Sequence, residues 1–555
     1  MAVAFIDSSS EDAPSCRLPL IISAIFGGLC LLALCATSPR LAMVWDEGDA
    51  IVRAEGISRG VWEYTTHREG HPAFYGLVIA VGSQIAKPWT DPLSAARFGP
   101  MLLFSLAAGA MCYRLWREFN PVAGITGVAT LLLIPRMFAH AHFASFDGPL
   151  TSCWILTWAL FSPTRRNLWW VIGWGAVLGM TLSCKATGWI APFPFLIWTL
   201  IYRDRNGLRT VAIGTVVALA VFFVLNPPLW HAPVEGWIRF FNLNFNRANN
   251  ELNLNFNIPT QFLGDIYHLR RPLPWYNTLF YTVITVPLGL LLLFITGVVT
   301  VLRRYREEPL GMLVALNWII LVVVRALPGV PPHDGIRLFL PSFAFLAALS
   351  GIGAAGMMAL LSQRCRTRLA RWTVKSLAVV LVYFGSLSSL VWYAPQWLSY
   401  YNILIGGLPG ATAVGMEPTY YWDGLDDSVW RWLHEHTAPG EAIGFGASPD
   451  TNLRLLGEWN AHGRSISTWS PVYRKSRLAT PARLAWGEFR WYVLQHRPSG
   501  LSPTDREIMA NVPPHYVKKI RETGKGPWRL DVPIVSVYDG SEVATMISSR
   551  RDAKP

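Results

Sequence analysis

The sequence predicts a polytopic α-helical membrane protein of about eleven transmembrane helices, followed by a small carboxy-terminal α/β soluble domain. Three observations predict it. The 555 residues are 52% hydrophobic and 15% charged, whereas a soluble globular chain is about 25% charged, and the mean hydropathy is +0.31. The apolar residues gather in runs close to the roughly 20 residues that cross a bilayer. Residues 395–555 carry 18 Lys/Arg and 16 Asp/Glu, against 30 and 19 in residues 1–394. The tail is therefore balanced like a soluble unit, and nearly all of the net charge of +13 lies upstream. This composition excludes a disordered chain, a coiled coil and a single soluble domain.

The runs lie near 18–37, 96–113, 121–138, 148–162, 168–184, 187–202, 209–226, 278–302, 309–327, 337–361 and 375–394. The first is read as an uncleaved helix. Its leader, DSSSEDAPSCR, is more acidic than basic, and the run is long for a signal peptide. A twelfth stretch, 71–85, is short and carries His71, Gln84 and two glycines.

The basic residues decide how it is counted, because orientation follows the Lys/Arg bias of short loops. The clusters are Arg114 with Arg117, Arg165 with Arg166, Arg203 with Arg205 and Arg209, Arg303 with Arg304 and Arg306, and Arg364, Arg366, Arg368, Arg371 and Lys375. All five follow even-numbered runs of the eleven, so a cytoplasmic amino terminus puts every cluster inside. Counting 71–85 as a span would move all five outside. It is therefore placed as a juxtamembrane or re-entrant helix on the outer face. The expected organisation is a membrane domain, residues 1–394, with an outer loop at 38–95 bearing juxtamembrane helices, and an extracytoplasmic α/β domain, residues 395–555. Its expected elements are a helix over 426–436 and strands at 442–447, 491–495 and 534–538, separated by Pro/Gly turns. The Asn-rich stretch 242–257 is read as an amphipathic helix or loop at the outer surface. The location expected is the cell membrane.

Function is narrowed first by what is missing. No Walker A, HExxH or EF-hand pattern occurs, and the letters GxGxxG (351–356) and GxSxG (56–60) fall within an apolar run and the outer loop rather than between a strand and a helix, which argues against a nucleotide-driven pump and the common hydrolases. The positive charge records orientation, so no nucleic-acid partner is expected. The seven cysteines, Cys16, Cys30, Cys35, Cys112, Cys153, Cys184 and Cys365, show no CxxC spacing and read as small buried apolar residues. An enzyme acting on a membrane-delivered substrate and a transporter or flippase remain. A transporter favours polar breaks at the bilayer midplane of matching halves. Here the ionisable groups crowd at the outer mouths of helices.

An ionisable group at membrane depth costs roughly 2.5–3.5 kcal/mol on insertion scales, so it needs a partner or a task. Asp46 and Glu47, in VWDEGDA, follow the first span, and Asp147, in FASFDGPLT, precedes the fourth. Each reads either as a carboxylate at a reaction site or as a helix cap. His140 and His142 read either as metal ligands with Asp147 or as surface or interface histidines. Lys185 sits at an outer turn, where it snorkels or pairs with an anion. Arg337, with His333 and Asp334 just outside, suits a phosphate that its planar fork can grip, or a salt bridge to Asp334.

In order and spacing, VWDEGDA, EGHPAFYGL, FASFDGPLT and HDGIRLFLP (333–341) resemble the GT-C glycosyltransferases, closest to the protein O-mannosyltransferases and the aminoarabinose lipid A transferases. WLSYYNILIGG (397–407) and GMEPTYYWDG (415–424) resemble a bacterial branch. The resemblance spans roughly residues 15–430. It implies transfer of a sugar from a polyprenyl-phosphate donor to a protein or lipid acceptor at the outer face, with inversion and without a nucleotide sugar. It implies catalytic roles for Asp46, Glu47 and Asp147, with Asp46 activating the acceptor. His71, Lys185, His333 and Arg337 would bind the lipid phosphate or sugar. Two departures stand out. His71-Pro72-Ala73 replaces a motif that often has two prolines, and Asp49 adds a third acid after Asp46. No metal ligand set is assigned; carboxylates of this kind suit Mg²⁺ or Mn²⁺ better than zinc.

Overall fold

The computed structural model describes residues 17–62, 70–162, 167–245, 257–365, 367–461, 477–520 and 530–552. Cys16, the acidic leader, Arg165 with Arg166, Arg366 and most of the Asn-rich 242–257 stretch lie outside the described residues.

Among the described residues, six segments are long and apolar enough to cross a membrane: Arg17–Arg40, Pro92–Glu118, Arg205–Val224, Pro309–Ala326, Arg337–Arg364 and Arg368–Tyr393. Five shorter apolar helices accompany them: Phe74–Ala86, Pro121–Leu133, Leu168–Leu182, Ala186–Ile201 and Leu288–Arg303. The chain is a multi-pass membrane protein. Leu340–Arg364 runs through the centre, with every residue from Leu340 to Ala354 buried, between helices Pro121–Leu133 and Leu288–Arg303.

Several apolar runs are not single helices, and proline is the reason. Proline has no N–H to give to the preceding turn. The run 121–138 ends its first helix at Leu133, and Pro135 starts a second, Pro135–His140. The run 278–302 divides at Pro287 into Asn277–Thr285 and Leu288–Arg303. The expected helix within 71–85 spans Phe74–Ala86 and lies against Pro92–Glu118. There Gly82 meets Gly99 so closely that a Cβ on Gly82 would sit 2.2 Å from the Gly99 nitrogen.

The carboxy-terminal segment contains one five-stranded mixed sheet. Its strands, with β1 (Thr260–Phe262) and β2 (Asp265–Tyr267) forming a separate hairpin, are β3 (Ala442–Phe445), β4 (Arg477–Ala479), β5 (Phe489–Gln495), β6 (Tyr516–Ile520) and β7 (Val532–Asp539). Their order is β4-β3-β5-β7-β6. β3 pairs parallel with β4 and β5, and β7 pairs antiparallel with β5 and β6. Helices Asp427–His436, Asp450–Ala461, Pro503–Asn511 and Gly540–Asp552 accompany the sheet. Between the last long helix and this sheet, residues 396–426 fold back over the mouth of the bundle and supply part of the candidate site.

Candidate functional site

Asp46 occupies the N-cap position of helix Glu47–Ser58, yet its side chain makes no capping bond. The carboxylate instead pairs with Arg337 Nη1. It also accepts a hydrogen bond from the Tyr421 hydroxyl at 3.0 Å. That hydroxyl in turn accepts from Arg337 Nη1 at 2.7 Å. Burial pushes the Tyr421 phenol well above its ordinary pKa, so it stays protonated and donates. The Trp45 N–H donates to the Tyr421 carbonyl at 3.2 Å, which ties the two segments together.

Arg337, fully enclosed at the start of its helix, meets two further carboxylates. Nη2 lies 2.7 Å from Asp334, and Nε lies 3.6 Å from Asp147. Asp147 is engaged by Lys185 Nζ at 2.7 Å. The Phe146 ring is a common floor: Lys185 Nζ lies 4.4 Å from its centre, Arg337 lies 5.7 Å away, and His71 stacks on it at 4.9 Å. The His333 carbonyl accepts from Arg325 at 3.2 Å. Its imidazole is held well below its ordinary pKa, first by burial and then by Arg337 and Arg325, so it is neutral. Asp46, Asp147, His71, Lys185, His333 and Arg337 thus gather at one mouth of the bundle. Among the acids here, Asp46 alone keeps an accessible face, 21% exposed, against 1% for Asp147 and 2% for Asp334.

Glu47, to which the resemblance gives a catalytic role, does not join them. Successive helix residues point about 100° apart, and Glu47 faces the bundle interior. It forms a wholly buried pair with Arg97, with Nε and Nη2 each at 2.7 Å. The backbone N–H groups of Val44 and Ala144 donate to its remaining positions at 3.0 and 2.9 Å. Such a saturated carboxylate holds the loop 38–47 in place. The two histidines are buried where segments meet. His140 Nε2 bonds the Tyr420 hydroxyl at 2.7 Å, and His142 is held between Thr37 and the Phe138 carbonyl, both at 2.8 Å. Among the described residues, no group of three or more His, Cys, Asp or Glu is arranged to hold a metal ion.

The sequence reading did not find Tyr421, Phe146 or Arg97, whereas the salt bridge it offered between Arg337 and Asp334 is formed. Tyr421 lies inside the quoted GMEPTYYWDG motif, which was the available signal. Asp334 and Gly335 both adopt left-handed backbone, φ +67° and +57°. For aspartate this is uncommon outside tight or functional turns. A cavity of about 1030 Å³ is lined in part by Ile51, Ala54, Arg59, Ile79 and Lys87, and none of the candidate site residues lines it.

Residues 70–231 match the family model described as dolichyl-phosphate-mannose-protein mannosyltransferase. That match covers less than a third of the chain. Solved structures resemble it at low identity. ArnT from Cupriavidus metallidurans bound to undecaprenyl phosphate is 15% identical over 96% of this chain and 99% of that one, with a TM-score of 0.49. The archaeal oligosaccharyltransferase AglB from Archaeoglobus fulgidus is 11% identical over 86% and 69%, with a TM-score of 0.47. The Pmt1–Pmt2 complex of S. cerevisiae bound to the sugar donor is 16% identical over 42% and 34%, with a TM-score of 0.31. No curated protein matches the sequence.

Proposed function

We propose that this GT-C glycosyltransferase moves a sugar from a polyprenyl-phosphate donor to a hydroxyl or phosphate oxygen of a protein or lipid acceptor at the outer face of the cell membrane. One observation carries the reading: a partly exposed carboxylate, Asp46, stands directly beside a cluster of buried cations, Arg337 and Lys185. Asp46 takes the acceptor proton as the acceptor oxygen bonds the anomeric carbon. The bond from that carbon to the phosphate oxygen breaks with inversion, and the polyprenyl phosphate leaves with the electron pair. Cationic donors fixed at the place where this charge appears stabilise it, which is the role given to Arg337 and Lys185. His71 and His333 border the same space as hydrogen-bonding groups. Asp147 orients Lys185.

The five inner Arg/Lys clusters support eleven spans, a cytoplasmic amino terminus and an extracytoplasmic segment from about residue 395. The family-model match supports a lipid-phosphate sugar as donor.

The test uses purified full-length protein and radiolabelled polyprenyl-phosphate sugar. Wild type releases polyprenyl phosphate, and Asp46→Asn, folded, slows release by at least about 10²-fold, the scale of a lost general base. A transporter of the donor would leave the donor intact, and undiminished turnover by Asp46→Asn would overturn the assignment.

A further inference from the structure

Arg497 comes from the carboxy-terminal segment, two residues beyond the end of β5, yet its side chain is wholly buried at the mouth of the helix bundle. Nη1 donates to the Tyr420 carbonyl at 2.8 Å and Nη2 to the Pro259 carbonyl at 2.9 Å. Nε lies 3.3 Å from Glu417, and the guanidinium lies 3.8 Å from the centre of the Trp422 ring. Nε also donates to the Ser499 hydroxyl at 3.3 Å. One further contact is functional in position: Nη2 lies 3.0 Å from Asp334 Oδ1, while Asp334 Oδ2 lies 2.7 Å from Arg337 Nη2. One buried carboxylate is therefore shared by two guanidinium groups, one oxygen to each.

We propose that Arg497 is a positioning residue for the donor side of the site, which takes up Asp334 and so leaves Arg337 available to the anionic phosphate of the lipid-linked sugar. The inference rests on the proposed role of Arg337. The charges show why it is needed. Arg337 is surrounded by Asp46, Asp147 and Asp334, of which Lys185 relieves Asp147. Without Arg497, Asp334 turns to Arg337, because Arg325, whose charge also reaches it, is held by the Pro331 and His333 carbonyls. At 2% exposure Asp334 has no water to compensate, and a carboxylate freed in this way closes bidentately on a guanidinium. Arg337 would then meet the phosphate with a second carboxylate, Asp334, closed on it in addition to Asp46. Glu417 does not replace this effect, because burial raises its pKa and it can take up a proton once Arg497 is gone. The carboxy-terminal segment is thus part of the donor site.

Donor KM and kcat are measured on full-length protein with labelled polyprenyl-phosphate sugar, alongside affinity for undecaprenyl phosphate. Coupled charges of this kind interact by roughly 2- to 150-fold. Arg497→Met is expected to raise donor KM, and to weaken undecaprenyl phosphate binding, by about tenfold, with kcat changed less than about threefold. Adding Asp334→Asn, which removes the stranded charge and tolerates left-handed backbone, brings both back to within about threefold of wild type. Arg497→Lys keeps the charge but loses carbonyl bonds, so it lowers thermal stability while donor KM stays within about threefold. A folded Arg497→Met with wild-type KM and affinity, or a double variant as weak as the single, overturns the proposal. Should Arg497→Met not fold, the lysine variant decides, and a tenfold loss of affinity there overturns it. A wild-type protein that releases no polyprenyl phosphate refutes the transferase reading, and the affinities still test this one.

Discussion

Glu47 and Arg97 allow a sharp separation of structure from chemistry at two adjacent acids. The perturbation is Glu47→Gln compared with Asp46→Asn. Both side chains of the Glu47–Arg97 pair are 0% exposed, and breaking a buried pair by removing one partner costs about 3–5 kcal/mol. Arg97 also donates to the carbonyls of Ser38, Leu41 and Ala42 at 3.1, 3.0 and 2.6 Å. The whole turn leading to Asp46 therefore hangs on it. At roughly 2.1 cal/mol/K per residue, a chain of this length unfolds with about 1.2 kcal/mol/K of entropy, so the loss lowers Tm by at least about 3 °C. Less complete unfolding in a membrane protein makes the shift larger. Asp46→Asn leaves Arg337 with Asp334 and Asp147, so its Tm stays within about 1 °C while turnover falls at least about 10²-fold. The assay is thermal unfolding of detergent-solubilised protein beside donor turnover. Arg97→Met should lower Tm like Glu47→Gln, and the double variant should cost less than the sum. A Glu47→Gln protein of wild-type Tm that has lost turnover refutes the reasoning and returns Glu47 to the chemistry.

Tyr421→Phe removes the hydroxyl that donates to Asp46 and accepts from Arg337, and should cut kcat by about tenfold with little change in Tm, since one hydrogen bond is worth about 1 kcal/mol; unchanged kcat would leave Tyr421 a packing residue. Burial lowers His496 to a pKa of about 4, so the folded state stays neutral while the unfolded chain takes up a proton. This group costs stability as pH falls from about 6.5 towards 4, by up to about 3 kcal/mol. His496→Gln should flatten that part of the Tm–pH profile, and an unchanged profile counts against the burial. Because Arg337 and Lys185 occupy Asp46 and Asp147, EDTA should leave turnover within about twofold, with added Mg²⁺ or Mn²⁺ giving no rescue beyond that; a strict metal requirement would show that these pairs open to admit an ion.

Much of this was legible in the sequence, for identifiable reasons. Bilayer spans are written in composition, and the Lys/Arg loops carry a parity that puts Asp46, Asp147, Lys185 and Arg337 at one face. The structure brings those four together. The helix at 427–436 and strands β3, β5 and β7 follow from alternation and Pro/Gly turns. What was hidden is of two kinds. Asp46 and Glu47 are adjacent and chemically alike, and only the helical turn between them sends one to the site and the other to Arg97. Tyr421 and Arg497 reach the site from hundreds of residues away through residues 396–426 and the sheet, and no local periodicity records such pairings. The proline breaks at Pro135 and Pro287 were visible in the letters but invisible to a count of apolar residues.

The Asp46–Arg337 pair has a kinetic consequence on the proposed function. In the empty enzyme the base and the phosphate clamp neutralise each other, so neither is fully available. A donor phosphate that draws Arg337 to itself loosens its hold on Asp46 at the moment when an acceptor needs a base. Binding is then ordered, with donor first and acceptor second, and the acceptor alone gains nothing from an Asp46 still masked. In steady-state kinetics, a dead-end analogue of the acceptor should inhibit uncompetitively against the donor, whereas competitive or mixed patterns would mean that the pair opens on its own.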